Sequence, residues 1–91
     1  MTDLPTTSAP VTIFATTTCG YCHRLRAGLD ATDTPYNVVD VDENPEAGEW
    51  VKSVNGGNRV VPTVLYSDGT YQTNPPAVKV RDRYGELTSQ R

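Results

Sequence analysis

Short apolar runs and helix-spaced apolar positions alternate along this chain. Val11-Thr12-Ile13-Phe14-Ala15 is a continuous β-rich run, the pattern of a buried strand. Thr16-Thr17-Thr18 links it to a segment in which Tyr21, Cys22, Leu25 and Leu29 recur at helical spacing, which predicts a helix from Gly20 to Ala31 with Cys19 at its N-terminal edge. Asp33-Thr34-Pro35 breaks that pattern, and Tyr36 to Val41 reads as a second strand. Strand, helix and strand within about 30 residues make a βαβ unit with parallel strands and a right-handed crossover.

The second half continues the alternation. Asn44 is placed as an N-cap with Pro45 at the first helical position, and Glu46 and Glu49 fall where the helix dipole favours acids. This helix is expected to reach Val54 and to end at Asn55-Gly56-Gly57-Asn58, because glycine accepts the left-handed cap conformation. Val60 to Tyr66 reads as a third strand, Asp68-Gly69 as a hairpin turn and Thr70 to Thr73 as a fourth strand. Asn74-Pro75 repeats the cap signature and predicts a last helix from Pro75 to about Tyr84, with Val78, Val80 and Tyr84 turned to the core. The order is β-α-β-α-β-β-α. It implies an α/β fold in which a mixed four-stranded sheet is flanked by three helices.

Length and composition narrow this picture. The 91 residues suit one domain, and 36 % hydrophobic with 21 % charged residues suits a folded, soluble chain. Residues 1–10 read as a flexible leader, 11–85 as the domain and 86–91 as a fraying tail. The net charge of -3 argues against a nucleic-acid binder, which needs a clustered basic face. Charge is uneven: residues 1–50 hold two basic and eight acidic side chains, residues 51–91 six and three, which reads as surface variation. No apolar run approaches the ~18–20 residues that cross a bilayer, and the first residues lack the basic and apolar regions of a signal peptide. A cytoplasmic protein with no membrane partner is expected. There, a C-x-x-C pair is more readily catalytic or metal-binding than structural.

The two cysteines of the chain form that pair, Cys19-Gly20-Tyr21-Cys22. A bond between them would close too short a loop to stabilise the fold through chain entropy. Sulfur chemistry is the better reading. Only a thiolate attacks a disulfide, and unpaired N–H groups at a helix N-terminus depress thiol pKa values to roughly 3.5–7.5. Cys19 is the residue so placed and is expected to be the nucleophile. Cys22, one turn later and covered, is expected to stay a thiol and act as resolving or auxiliary group. Two alternatives stand beside this: a coincidental pair of core cysteines, and a zinc site. Zinc would need four ligands where the chain offers two cysteines and one histidine, His23, which reads as a surface residue. Pro62 inside a strand-like run cannot donate to a sheet, and is explained if the strand begins there and the Val61-Pro62 bond is cis.

Other residues receive plainer readings. Trp50 is expected in the core, Tyr21 beside the active site, Arg24 and Arg26 in solvent. Arg59 lies near the proline loop, where it could meet a substrate, and Asp40, Asp42 and Glu43 read as a solvated loop. Gly56-Gly57 precedes a strand instead of a helix N-terminus, so it is a turn and not an anion cradle.

The element order, Cys19-Gly20-Tyr21-Cys22 and Val61-Pro62 together resemble the glutaredoxin branch of the thioredoxin fold. More narrowly, Val54-Asn55-Gly56-Gly57-Asn58-Arg59, Val61-Pro62-Thr63-Val64, Asp68-Gly69 and Thr73-Asn74-Pro75 resemble the mycoredoxins of actinobacteria over roughly residues 11–84. The resemblance implies a cis Val61-Pro62 bond and a monothiol reduction of protein–mycothiol mixed disulfides. Cys19 would be the nucleophile and Cys22 the auxiliary thiol. Val61 would offer its backbone to the substrate chain beside Pro62, Tyr21 would touch substrate, and Thr73 and Asn74 would border the thiol groove. It also implies mycothiol as co-substrate, mycothiolated proteins as partners, mycothione reductase and NADPH upstream, no tightly bound cofactor, no metal, and a monomer. Ordinary glutaredoxins commonly carry a lysine before the first cysteine and a Gly-Gly-x-x-Asp stretch at the last helix. Here Thr16-Thr17-Thr18 and Thr73-Asn74-Pro75-Pro76 stand instead. Fewer charged partners disfavour glutathione, with its two carboxylates and ammonium, relative to a sugar–inositol thiol. The competing enzyme is a dithiol redoxin recharged by thioredoxin reductase through Cys19 and Cys22.

Overall fold

A computed structural model describes residues 10–88. Its elements are β1 (Val11–Ala15), α1 (Gly20–Ala31), β2 (Asn37–Asp40), α2 (Pro45–Val54), β3 (Thr63–Tyr66), β4 (Tyr71–Thr73) and α3 (Ala77–Thr88). The strands form one sheet in the order β2-β1-β3-β4. β1 runs parallel to β2 and antiparallel to β3, and β3 pairs antiparallel with β4. This is the mixed sheet and three-helix arrangement of the glutaredoxin and thioredoxin fold that the apolar pattern implied.

The strand period divides the core between two faces. Val11, Ile13 and Ala15 of β1 and Val64 and Tyr66 of β3 join Cys22, Leu25 and Leu29 of α1 and Val80 of α3. Phe14 and Leu65 point to the other face and join Val41, Ala47, Trp50 and Val51 against α2. Trp50 is thus a core residue, with its ring 4.9 Å from that of Phe14. At the sheet's other face, α1 and α3 approach so closely that a Cβ built on Gly28 would lie 2.6 Å from Ala77 Cβ. Among the described residues no helix is long and apolar enough to cross a membrane.

Several boundaries differ from the expectation, each for a local reason. β3 begins at Thr63 instead of Val60, because Val60 and Val61 form the loop that carries the cis Val61-Pro62 peptide. α3 begins at Ala77, not Pro75. A residue before proline is pushed out of the helical region, and here that applies to both Asn74 and Pro75. Asn74 is therefore no N-cap. It sits at φ 48° in the left-handed region, and its N–H donates to Pro62 O at 2.7 Å. With the helix shifted, Ala77, Val80, Tyr84 and Leu87 face the core, and Val78, one step round, is exposed. Helix continues through Gly85 to Thr88, where a fraying tail was expected, because Leu87 still packs on the core. Asn44 precedes α2 but does not cap it with its side chain, which instead donates to Asp40 O. The leader at 1–9 lies outside the described residues, and Pro10 is joined to the sheet through Ser67 N–H at 3.0 Å. The Gly56-Gly57 expectation holds: both have positive φ, and Gly57 N–H closes α2 on Lys52 O at 2.8 Å.

Candidate active site

Cys19 is the N-cap of α1, with extended backbone at φ -86° and ψ 115°. Its sulfur occupies the place where a serine or aspartate oxygen usually sits, and accepts the Cys22 N–H at 3.2 Å. One of the orphan donors of the helix start therefore points at the sulfur. The loop before it is pinned by His23, whose Nε2 donates to Thr17 O at 2.8 Å. His23 was expected to be a surface residue, and it is exposed, but its ring braces the approach to Cys19.

The two sulfurs differ sharply in setting. Cys19 is partly exposed, and Cys22 is sealed against β1 and α3 at 1 % exposure. Burial pushes the Cys22 thiol up to about 12, and a hydrogen bond with Cys19 adds to the effect. Cys22 is therefore a neutral thiol at any physiological pH.

The proline loop brings a second set of residues to the same sulfur. Val61 O lies 3.7 Å from Cys19 Sγ, close enough to accept the thiol proton. Among the described residues no partner is found for the Val61 N–H. Pro62 is buried behind it, and its carbonyl accepts from Asn74, which joins the loop to the end of β4. Thr73 pairs across the sheet with Thr63. Its hydroxyl donates to Asn55 Oδ1 at 2.7 Å, so it is already committed within the protein. Tyr21 stands at 61 % exposure with the Arg24 guanidinium 5.8 Å from its ring centre. A groove of about 440 Å³ runs from Tyr21 and Arg24 to Asn74 and Pro75, floored by Leu25 and Gly28.

Cys19, Cys22, Val61 and Pro62 thus converge, with Tyr21 and Asn74 sharing the neighbouring groove. Arg59 does not join them. It pairs with Asp42 at 2.6 Å. Arg24, read as solvated, is exposed and also lines the groove. Asn55, read only as a helix terminator, bonds to both Thr63 and Thr73. Its position ahead of two glycines hid that role, since any helix end would have used the same residues.

A partly exposed N-capping cysteine, a buried partner one turn on and a cis proline opposite make the site of a thiol–disulfide oxidoreductase. Known proteins agree with this class. The glutaredoxin family model matches residues 11–71. Mycoredoxin 1 from Corynebacterium glutamicum is 61 % identical over 70 residues, covering 77 % of this chain and 86 % of the relative. A putative glutaredoxin from Mycobacterium tuberculosis is 50 % identical over 74 residues, covering 81 % and 88 %. Among solved structures, glutaredoxin C1 from Populus tremula x tremuloides superposes with a TM-score of 0.71 over 91 % of this chain and 82 % of its own, at 24 % identity, which bears on the fold. The chain belongs to the glutaredoxin family, as a mycoredoxin homologue.

Proposed function

We propose that this enzyme reduces protein–mycothiol mixed disulfides by a monothiol route in the cytoplasm. The Cys19 thiolate attacks the mycothiol sulfur of the mixed disulfide. The protein sulfur leaves as a thiolate and takes up a proton, and Cys19 is left disulfide-bonded to mycothiol. A second mycothiol, as thiolate, attacks that bond, which restores Cys19 and forms mycothiol disulfide. Mycothione reductase then returns the electrons from NADPH.

One observation carries the monothiol part: the sulfur at the helix start is open and hydrogen-bonded by an N–H, and its partner is sealed and held as a neutral thiol. Cys19 is open to a soluble thiol, and Cys22 is not. Ionisation of Cys19 also removes the proton shared with Val61 O. The carbonyl is then free to accept from a substrate amide while the Val61 N–H donates, a short strand pairing beside Pro62. Tyr21 and Asn74 border the head group of the thiol, and Tyr21 offers a ring face to a sugar, whereas Thr73, expected to border it, does not line the groove and bonds to Asn55. The similarity to a relative named mycoredoxin 1 favours mycothiol over glutathione. So does a groove in which Arg24 is the one charged side chain.

The Cys22→Ser variant tests the route. It should keep more than half of the wild-type rate on an S-mycothiolated peptide and lose dithiol-dependent reduction of a protein disulfide. Loss of both activities would refute the monothiol assignment and leave the thioredoxin-reductase-linked dithiol enzyme. Cys19→Ser should abolish either activity. Equal rates with mycothiol and glutathione as reductants of one substrate would remove the preference for mycothiol.

A further inference from the structure

The Asn55 side chain is the meeting point of three segments. Its Nδ2 donates to Val51 O in the last turn of α2 at 2.8 Å and to Thr63 Oγ1 at 3.3 Å. Its Oδ1 accepts from Thr73 Oγ1 at 2.7 Å. Thr63, fully buried, passes the chain on by donating to Val60 O at 2.8 Å. Each hydroxyl has one proton to give, and the donors run in one consistent direction. The amide can sit only this way round, because a flip would set its oxygen against the Val51 carbonyl. The end of α2, the proline loop and the end of β4 are thereby held through one amide.

These are the segments that carry the two sides of the substrate site. Val60 and Thr63 bracket Val61 and Pro62, and Thr73 leads into Asn74. The main chain joins the same sides through the β3–β4 pairing of Thr63 with Thr73 and through Asn74 N–H to Pro62 O, and neither link reaches the end of α2. Asn55 adds the side-chain bonds that tie the end of α2 to both.

We propose that Asn55 is a positioning residue of this oxidoreductase. It touches no reacting atom. Acting through Thr63 and Thr73, it braces the end of α2 against the backbone edge at Val61 and against the end of β4 that leads to the groove wall at Asn74, so that a disulfide substrate docks in line with Cys19. This does not depend on which low-molecular-weight thiol the enzyme uses.

The test is a cycle built from Asn55→Ala and Thr73→Val, with Thr73→Ser as the hydroxyl-retaining control, assayed on an S-mycothiolated peptide with mycothiol as reductant. Asn55→Ala and Thr73→Val should each raise KM about tenfold, with kcat moved less than twofold. Thr73→Ser should recover most of the loss. The double variant should be no worse than Asn55→Ala alone, because both changes break one linkage. The iodoacetamide rate at Cys19 should be the same in all of them. An unchanged KM overturns the proposal. So does a Thr73→Val effect that persists in full on the Asn55→Ala background, since Thr73 would then act on substrate directly. If Asn55→Ala does not fold, the contrast between Thr73→Val and Thr73→Ser decides: equal KM values reject the linkage. If wild-type enzyme is inert towards the mycothiolated peptide, the mycothiol assignment fails by itself, and the cycle is run with a glutathionylated peptide and glutathione.

Discussion

Cys19 and Cys22 are the same residue type three positions apart, yet their surroundings give them opposite chemistry. The first caps a helix and meets solvent. The second lies under α3, and its loss of water is what holds its proton. This difference is measurable without any substrate. In the reduced native protein, iodoacetamide should modify Cys19 at neutral pH and leave Cys22 untouched until the chain is unfolded. Peptide mass spectrometry after alkylation with and without urea reads the two sites separately. Equal labelling of both in the native state would mean that Cys22 is reachable, and the argument for a monothiol route would lose its footing. The residue pair was legible in the sequence because helix N-termini and C-x-x-C spacing are local signals. The clamp by His23 on Thr17 and the commitment of the Thr73 hydroxyl to Asn55 were not, since a hydrogen-bond partner 6 or 18 residues away leaves no periodic trace.

Element packing explains why α1 and α3 sit at one spacing. Gly28 lets the helices touch where Ala77 opens α3, immediately beside the groove that Tyr21, Arg24, Asn74 and Pro75 line. A methyl group at Gly28 would be driven into Ala77 Cβ, which is fixed to the backbone and cannot swing aside. Alanine is the better helix former by about 1 kcal/mol, but overpacking commonly costs about 1–3 kcal/mol and here must move a whole helix. Gly28→Ala should therefore lower stability in urea melts, and adding Ala77→Gly should restore much of it. A Gly28→Ala protein as stable as wild type would show that the helices can part freely. The start of α3 is itself an element-scale result. Asn74-Pro75 carries a common cap signature, and the second proline, Pro76, overrides it by excluding Pro75 from helical conformation. Of the residues expected inward on this helix, Val80 and Tyr84 face the core and Val78 does not.

For the whole molecule, the buried ionisable groups set how it responds to alkali. Burial raises the Cys22 thiol to about 12, and burial likewise raises the Tyr66 phenol to about 12 against the opposing pull of Arg83. In the unfolded chain these groups ionise near about 8.5 and 10. Between those values and 12 the unfolded chain holds fewer protons than the folded one, so stability falls as pH rises. It is complete below about pH 8.5 and is lost progressively up to about pH 12. Thermal melts across that range should show a falling Tm, and Tyr66→Phe should flatten the part above about pH 10. A Tm that holds steady to pH 11 would contradict the burial of both groups. The Tyr66 hydroxyl donates to Gln72 Oε1 at 2.7 Å, so Tyr66→Phe also gives up one hydrogen bond, and its melts are compared as slopes against pH, not as absolute values.

At this scale the line between sequence and tertiary structure is clear. Period-two and period-3.6 apolar patterns, turn glycines and the Cys19–Cys22 spacing were enough for the element order, the sheet with its three helices and the placing of Cys19 at a helix start with Cys22 covered one turn on, because each depends on neighbours within a few positions. The chain alone did not say that Val61 O would reach Cys19 Sγ across 42 positions, that Arg59 would turn to Asp42, or that Asn55 would gather Thr63 and Thr73. Those are contacts between segments brought together only when both faces of the sheet are covered. What selects them is the need of buried and half-buried polar groups to find partners once water is excluded, a demand that exists only in the packed molecule.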